Sequence, residues 1–310
     1  MTLLYYNPRF LDHDTGNHPE RPSRLRHIVA RLESTWLMAD CTRPNWEPAS
    51  RARLEQVHEP GHIENVAATA ARGGGNLDSD TAVSPASFDV ARLAAGAACD
   101  AVDRVLTGED KTALCLVRPP GHHALPERAM GFCLFSNVAI AASVARDEHG
   151  LDRVMIVDWD VHHGNGTQDV FYADERVGFL SIHRWPFYPG TGDSDETGTG
   201  AGLGTTVNLP VSFGTPRQTY RESFAAKLEK FADRFRPQLI LISAGFDSHY
   251  ADPIGSLGLE VEDFADLTKI VRDVADVHAQ GRIVSVLEGG YNPPVLAECV
   301  DVHLRGLMDN

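Results

Sequence analysis

The chain has 310 residues, 43% of them hydrophobic and 23% charged, which is enough to fill the core of one domain over residues 1–310. Its formal net charge of −15 argues against a nucleic-acid-binding surface, which needs clustered Lys and Arg, and favours cationic substrates. The five cysteines are scattered without a C-x-x-C pair, the N-terminus lacks a signal-peptide pattern, and no apolar run reaches the roughly 18 residues of a membrane span. These features argue against a disulfide framework, a thiolate zinc site and a membrane protein, and they favour a reducing, cytoplasmic setting.

Helical periodicity and short apolar runs alternate along the chain. The predicted helices cover residues 22–36, 84–106, 136–148, 217–235, 261–279 and 293–307. The predicted strands cover residues 113–117, 153–157, 177–182, 205–209, 238–243 and 282–287. Because continuous apolar runs are typical of strands buried on both faces, the alternation predicts a three-layer α/β/α fold with a doubly wound, mostly parallel sheet. The glycine-rich segment 190–204 is predicted to be a surface or active-site loop, since it lacks the G-K-[ST] ending of a phosphate-binding loop.

Polar, glycine-flanked segments follow five of these strands. In chain order they read RPPGHH, DWDVHHGNG, SIHR, AGFD and EGGY. Ligands of open α/β sheets bind outside the carboxyl ends of the strands. The five segments therefore predict one functional rim.

The segment DWDVHH is the strongest local signal for a metal. Side chains alternate along an extended chain, so Asp160 and His162 point to one side and can share an ion such as zinc or Fe(II). Asp247 is the best third ligand, because a carboxylate after a buried strand needs a cation or a strong set of hydrogen bonds. Alternatively, Asp158 and Asp160 could cap a helix that starts near Asn165, but the joint pattern disfavours this.

The adjacent residues His122 and His123 suit acid–base chemistry, because the pKa of imidazole lies near neutrality and a pair can have its two values pushed apart. They could also be metal ligands or exposed loop residues. Tyr291 in LEGGY could donate a hydrogen bond to an oxyanion, or be an ordinary half-buried tyrosine. Phe132 and Tyr188 could wall a narrow channel for an alkyl chain, or be plain core aromatics.

Together these segments resemble a known family. The order and spacing of five motifs resemble those of the histone deacetylase family: RPPGHH, GFCLFSN, VDWDVHHGNGTQ, SAGFD and LEGGY. The motif VDWDVHHGNGTQ resembles class II members rather than class I members. The resemblance runs from residue 18 to the last predicted helix and extends to acetylpolyamine amidohydrolases and bacterial histone-deacetylase-like amidohydrolases. It implies a zinc-dependent deacetylase that acts on acyl-lysine side chains and releases acetate and a free amine.

The resemblance also implies roles for single residues. Zinc would be held by three ligands: Asp160, His162 and Asp247. His123 would act as general base and then as general acid beside its electrostatic partner His122. Asp158 and Asn165 would orient the two imidazoles, and Tyr291 would polarise the acetyl carbonyl.

Two structural sites for K⁺ or Na⁺ are implied in the same way. The first would use the carboxylate of Asp158, the hydroxyl of Ser181 and the main-chain oxygens of Asp158, Asp160, His162 and Ile182. The second would use the main-chain oxygens of Phe171, Asp174, Val177 and Thr205.

Further positions are implied to contact the substrate. The tunnel walls would be Phe132 and Tyr188, with Gly131 offering its carbonyl to the substrate amide, and Tyr188 departs from the usual Phe of the family. The remaining positions are Asp78 or Asp80 on the substrate backbone, Arg21 at the acetate-release cavity and Ile254 at the entrance. Ile254 stands where polyamine-selective relatives have Glu, which favours an acyl-lysine peptide.

Three alternatives stay open on the sequence alone. An arginase-like ureohydrolase would need two Mn²⁺ ions and a site richer in Asp. A deacetylase of small acetylated amines, such as acetylpolyamines, would share the chemistry but not the substrate. A non-catalytic acyl-group binder would not need both His123 and Tyr291. Under each interpretation we expect no nucleic acid and no membrane as a binding partner. The sequence leaves the number of chains in the assembly open.

Overall fold

The computed structural model describes residues 2–309. The strands are β1 (Leu3–Tyr5), β2 (Gly75–Asn76), β3 (Ala82–Val83), β4 (Thr112–Cys115), β5 (Val154–Asp158), β6 (Val177–Arg184), β7 (Thr206–Val211), β8 (Leu239–Ala244) and β9 (Ile283–Leu287). The helices are α1 (Ser23–Ser34), α2 (Arg51–Leu54), α3 (Pro60–Ala71), α4 (Ser87–Thr107), α5 (Asn137–Asp147), α6 (Asn165–Phe171), α7 (Arg217–Phe235), α8 (Val261–His278) and α9 (Pro293–Met308). Two short 3₁₀ turns lie at Pro8–Asp12 and Gly200–Gly202.

Seven of these strands form one sheet in the order β1-β4-β9-β8-β5-β6-β7, and every neighbouring pair is parallel. The strands β4, β5, β8 and β9 are buried along their whole length. Parallel strands have this apolar character because helices cover both faces of the sheet. The predicted three-layer α/β/α fold is confirmed.

The predicted strands agree with the observed ones to within two residues at each end. One difference matters for the site. The SIHR segment is predicted to follow a strand, but all four of its residues belong to β6, which pairs with β7 as far as Arg184 and Val211. His183 is consequently buried in the sheet, where Ser181 Oγ lies 2.9 Å from its Nδ1.

The two edges of the sheet are protected in different ways. The edge strand β1 has only three residues, and its outer side pairs with Thr42, whose carbonyl accepts a hydrogen bond of 2.8 Å from Leu4 N. The opposite edge strand, β7, contains Pro210, which has no N–H to offer to a further strand.

The alanine-rich helix α4 packs closely against the loop that precedes α2. A Cβ built on Gly96 would lie 2.2 Å from the Glu47 carbonyl oxygen and 2.8 Å from Ala49 N. Only glycine allows this approach of two backbones. None of the helices within residues 2–309 is long and apolar enough to cross a bilayer.

Candidate active site

The polar segments converge because the strands that carry them are neighbours. The sheet order places β4, β9, β8 and β5 side by side, and their carboxyl ends lie at one edge of the sheet. The loops after these strands carry the His122–His123 pair, Tyr291, Asp247 and Asp160 respectively. Four of the five predicted segments thus form the rim, and the fifth contributes to the sheet.

Asp160, His162 and Asp247 form a buried cluster in which one ligand atom from each lies within 4.8 Å of the others. His162 Nδ1 lies 3.0 Å from Asp160 Oδ1 and 3.2 Å from Asp247 Oδ2. Among the described residues, Asp247 Oδ2 has no well-aligned hydrogen-bond donor. Burial and the neighbouring Asp160 carboxylate raise the pKa of Asp247 to about 7. Two buried carboxylates, one of them with an unpartnered oxygen, and an imidazole fit a divalent cation. The Asp/His/Asp donor set suits zinc.

Backbone N–H groups hold these carboxylates in place. Asp160 Oδ1 accepts a hydrogen bond of 2.9 Å from His162 N, and Asp160 Oδ2 accepts one of 2.9 Å from Gly289 N. Asp247 Oδ1 accepts one of 2.9 Å from Val161 N. The remaining carboxylate oxygen, Asp247 Oδ2, is left for a ligand.

The helix-cap alternative for these aspartates is wrong. The helix α6 begins at Asn165 with Gly164 at its N-cap, and no side chain accepts a hydrogen bond from its first turn. Asp158 instead accepts a hydrogen bond of 3.1 Å from Asp160 N through Oδ1, and its Oδ2 lies 2.9 Å from His122 Nδ1. The carboxylates therefore serve the rim rather than α6.

His122 and His123 have different environments although their ring centroids are only 4.0 Å apart. Burial alone would lower the pKa of His122, but the carboxylates of Asp158 and Asp160 raise it to about 10. Burial, the neighbouring His122 and then His162 depress the pKa of His123 well below its usual value. Its Nδ1 lies 2.7 Å from Asn165 Oδ1. His122 is therefore cationic and His123 neutral near pH 7.

Tyr291 is almost fully buried, with 7% of its surface exposed, so it is not the ordinary half-buried tyrosine of the alternative interpretation. Its ring meets Phe132 edge to face at 5.7 Å between centroids. Burial raises the pKa of Tyr291 well above its usual value, so the phenol keeps its proton. A neutral phenol can donate a hydrogen bond to a developing negative charge.

Aromatic side chains surround the approach to His123 and His162. Tyr188, which is 39% exposed, lies edge to face 5.2 Å from the His123 ring and 6.0 Å from the His162 ring. Phe187, which the sequence analysis did not single out, stacks on His162 at 5.2 Å. Phe132 lies on the other side, where it contacts both Tyr291 and His18. Of the two predicted wall residues, Tyr188 therefore lies beside His123 and Phe132 lies beside Tyr291.

The turn before Phe132 has unusual backbone geometry. Gly131 and Phe132 have positive φ angles of 56° and 70°. A Cβ built on Gly131 would lie 2.5 Å from His123 Cδ2. Glycine is required at position 131 because the backbone passes directly over the imidazole.

The predicted substrate residues Asp78, Asp80 and Ile254 lie in two separate loops. The carboxylates of Asp80 and Asp78 both add to burial in raising the pKa of Tyr188, so both lie near its ring. Asp80 also accepts a hydrogen bond of 3.1 Å from His18 Nε2 through its carbonyl. Ile254 is half-buried in the loop that follows Asp247.

The structure does not support the prediction for Arg21. Its side chain is exposed and borders a surface groove, whereas Arg24 is fully buried. Arg24 Nε donates a hydrogen bond of 2.6 Å to the Gly290 carbonyl, and its guanidinium lies 5.0 Å from the centre of the Tyr291 ring. The internal arginine next to the site is therefore Arg24, one helical turn further along the chain.

The residues predicted to hold monovalent cations lie in two places. Ser181 in β6 is the register partner of Asp158 in β5, with Ile182 next to it. The second group surrounds the start of β6, where Asp174 N donates to the Phe171 carbonyl (3.0 Å) and Phe179 N donates to the Thr205 carbonyl (2.8 Å). Val177, the first residue of β6, completes this group.

A buried ion-pair network beneath the rim was missed by the sequence analysis. Glu20 contacts Arg118 and Arg24, and all three side chains are fully buried. Glu288 accepts hydrogen bonds from Gly121 N (2.6 Å) and His122 N (3.2 Å). Their positions could have indicated a role, since Arg118 and Glu288 lie in the motifs RPPGHH and LEGGY, and Glu20 lies near residue 18, where the family resemblance begins.

Comparisons with known proteins show which family the chain belongs to. Residues 18–307 match the histone deacetylase domain family. The chain is 40% identical to the histone deacetylase-like amidohydrolase of Pseudomonas aeruginosa over 285 aligned residues, covering 92% of this chain and 75% of that protein. It is 42% identical to the polyamine deacetylase HDAC10 of Homo sapiens over 313 aligned residues, covering 97% of this chain and 46% of that protein.

A solved structure gives the same result for the fold. The crystal structure of the HDA15 HD domain superposes with a TM-score of 0.94 at 37% identity, covering 99% of this chain and 89% of that chain. The family match excludes the ureohydrolase and the non-catalytic binder as descriptions of the chain. The chain therefore belongs to the histone deacetylase family and is a hydrolase that acts on acetyl amides.

Proposed function

We propose that the protein is a single-domain, zinc-dependent deacetylase that hydrolyses the amide of acyl-lysine side chains. The observation that carries the proposal is the buried Asp160–His162–Asp247 cluster, which lies beside a neutral His123 and the ring of Tyr188. A lysine side chain ends in an unbranched alkyl chain, which suits passage between aromatic walls. The reaction consumes water and yields acetate, or another short acylate, and a free amine.

Asp160, His162 and Asp247 would hold one zinc ion per chain. When bound, zinc supplies a Lewis acid for the acyl carbonyl and lowers the pKa of a water molecule. The oxygen of Asp247 that lacks a hydrogen-bond donor supports this assignment.

The imidazole pair moves the protons. Because His123 is neutral, it can accept a proton from water as the nucleophile attacks, and it can then donate that proton to the leaving nitrogen. Asn165 orients its ring through the contact of 2.7 Å at Nδ1. The cationic His122, paired with Asp158, places a positive charge beside the reacting carbonyl.

Tyr291 donates a hydrogen bond to the carbonyl oxygen as negative charge develops on it. The phenol keeps its proton because burial raises its pKa, so the donor is present over the working pH range. A donor of this kind stabilises the transition state more than the ground state.

We also propose that the two groups of oxygens around β6 bind K⁺ or Na⁺. The register pairing of Asp158 with Ser181 supports the first site, and the turn that joins α6 to β6 supports the second. A reducing, cytoplasmic setting stays a prediction that agrees with five unpaired cysteines.

A second candidate substrate is a small acetylated amine. The identity of 42% to a polyamine deacetylase favours it. Position 254 argues against it, because Ile254 brings no carboxylate to the entrance for the distal ammonium of a polyamine.

The test is a panel of acyl-lysine peptides and N-acetylputrescine, assayed with the zinc-loaded protein. We expect kcat/KM for the acetyl-lysine peptide to exceed that for N-acetylputrescine by at least about tenfold. The reverse order would move the assignment to polyamines. Absence of hydrolysis across the whole panel would refute the proposed function.

The variant Tyr291→Phe tests the mechanism in the same assay. Loss of the phenolic donor should lower kcat for the acetyl-lysine peptide by more than about tenfold. Zinc per chain, measured by atomic emission, should stay at the wild-type value. Unchanged turnover would remove Tyr291 from the mechanism.

A further inference from the structure

Asp252 connects two loops of the rim through a single buried carboxylate, of which 8% is exposed. Its Oδ2 accepts a hydrogen bond of 2.6 Å from Tyr291 N. Its Oδ1 accepts hydrogen bonds from Ile254 N (2.9 Å) and Gly255 N (3.0 Å). One oxygen therefore holds the loop of Tyr291, and the other holds the entrance turn that carries Ile254.

The loop of Tyr291 needs such external support. Two glycines, Gly289 and Gly290, precede Tyr291, and Gly290 has a φ angle of 121° that only glycine adopts freely. On the inner side, Arg24 donates hydrogen bonds to the carbonyls of Gly290 and Glu288. On the outer side, Asp252 provides the contact to Tyr291 itself. The loop is thus held between a buried cation and a buried anion.

We propose that Asp252 is a positioning residue for Tyr291, and that it fixes the phenol relative to the entrance turn at Ile254. The inference rests on the proposed role of Tyr291 in hydrolysis. A hydrogen bond from a backbone N–H to a carboxylate is short and about twice as strong as a neutral one. A displacement of the phenol by about 1 Å is enough to lower turnover strongly.

The chemistry explains why Asp is needed at this position. A carboxylate has two acceptor oxygens, and here each accepts from a different loop. Asparagine has the same shape but offers one oxygen and one NH₂ group. In Asp252→Asn the NH₂ group must face the N–H of Tyr291 or those of the turn, so one of the two links is lost.

The experiment is a double-mutant cycle on the zinc-loaded full chain, using wild type, Asp252→Asn, Tyr291→Phe and the double variant. We expect Asp252→Asn to lower kcat for an acetyl-lysine peptide by about tenfold or more, with little change in KM and the wild-type zinc content. In the Tyr291→Phe background the same change should lower kcat by less than about threefold. The inference would be overturned if the two substitutions lowered kcat independently, so that their effects multiply in the double variant. An unchanged kcat in Asp252→Asn would also overturn it.

The variant Asp263→Asn is the matched control. Asp263 is also buried and also accepts a backbone N–H, from Glu260 in the capping box of α8, but it does not contact Tyr291. Its substitution should lower the melting temperature without lowering kcat. An equal loss of kcat in both variants would show a general effect of removing a buried charge, and would count against Asp252.

Two further outcomes are informative. If Asp252→Asn does not accumulate as folded protein, Asp252→Glu becomes the test, because it keeps both acceptor oxygens on a longer side chain. A loss of kcat that disappears in the Tyr291→Phe background supports the inference, and a multiplicative loss overturns it. If the wild-type protein hydrolyses no peptide, the proposed function is refuted. If the wild type is active and the Asp252→Asn variant has the same kcat, only the inference is refuted.

Discussion

At the scale of single residues, His122 and His123 show how environment divides one chemical group into two functions. Both are imidazoles in one turn, and both are buried. The carboxylates of Asp158 and Asp160 outweigh the effect of burial and raise the pKa of His122 to about 10. Burial and the neighbouring His122 lower the pKa of His123, and its hydrogen bond to Asn165 offsets only part of this effect. The nearest carboxylates therefore distinguish the two rings in the proposed mechanism.

At the same scale, Gly289 leaves room for the carboxylates of the proposed zinc site. A Cβ built on Gly289 would lie 2.2 Å from Asp247 Oδ2 and 2.5 Å from Asp160 Oδ2. We expect Gly289→Ala to push these carboxylates apart and to weaken zinc binding by about tenfold or more. Titration against a competing chelator measures this affinity, and circular dichroism of the metal-free protein checks that the fold is kept. Wild-type zinc affinity in Gly289→Ala would contradict the proposed ligand set.

At the scale of elements, the close packing of α4 reverses the usual effect of a glycine substitution. Gly→Ala inside an exposed helix stabilises by up to about 1 kcal/mol, but at Gly96 the new methyl group would collide with the backbone of residues 47–49. We expect Gly96→Ala to lower the free energy of unfolding by about 1–3 kcal/mol.

Urea unfolding of the two helical variants Gly96→Ala and Gly61→Ala tests this expectation. Gly61 is an exposed residue of α3, and no heavy atom lies within 4 Å of a Cβ built there. Gly61→Ala should therefore leave stability unchanged or raise it slightly. Equal unfolding midpoints for both variants would show that the α4 contact adjusts without cost.

The elements differ in how far the sequence predicts them. Strands such as β5 and β8 are predictable because both faces are buried, so their apolar runs are continuous. The three-residue strand β1 is not, because its extended conformation depends on pairing with β4, more than 100 residues away. The hairpin β2–β3 and the four-residue helix α2 are too short to show a periodicity. The twelve-residue helix α3 is not among the predicted helices, although its buried positions 62, 63, 66, 69 and 70 follow helical spacing.

The residues of the candidate site also differ in how far the sequence predicts them. Asp160 and His162 are predictable from their spacing after β5, although the backbone bends at residues 160–162 instead of staying extended. For the internal arginine, the sequence predicts Arg21 where the structure has Arg24. The choice between Arg21 and Arg24 depends on which face of α1 packs inward. In the structure Arg24 lies on the buried face of α1, together with Leu25 and Ile28. Asp252 was also missed as a functional residue, because its partner Tyr291 is 39 residues away in the sequence.

At the scale of the whole molecule, the Glu20 network joins the N-terminal loop to the centre of the protein. Arg118 Nη2 donates a hydrogen bond of 2.7 Å to Glu20 Oε2, and Arg24 and His13 approach the same carboxylate. Burial alone would raise the pKa of Glu20, but Arg118 and its neighbours lower it to about 2. Glu20 therefore stabilises the fold while it is ionised.

This depressed pKa predicts how stability depends on pH. The contribution of Glu20 is fully present above its unfolded pKa near 4.5 and is lost as the pH falls toward about 2. It amounts to about 3 kcal/mol. Urea unfolding of metal-free wild type and Glu20→Gln between pH 7 and pH 2.5 should show the stability gap narrowing at acidic pH. A gap that stays constant would show that Glu20 does not titrate in this range.

The protected edges of the sheet have a consequence for association between molecules. A seven-stranded parallel sheet with open sides would invite strands from other chains, which is a common route to aggregation. Here one side is shortened to three residues and covered by Thr42, and the other carries Pro210. Growth of the sheet is discouraged at both sides, whereas its carboxyl end carries loops instead of a free edge. The fold thus resists the addition of an extended chain along either side of its sheet.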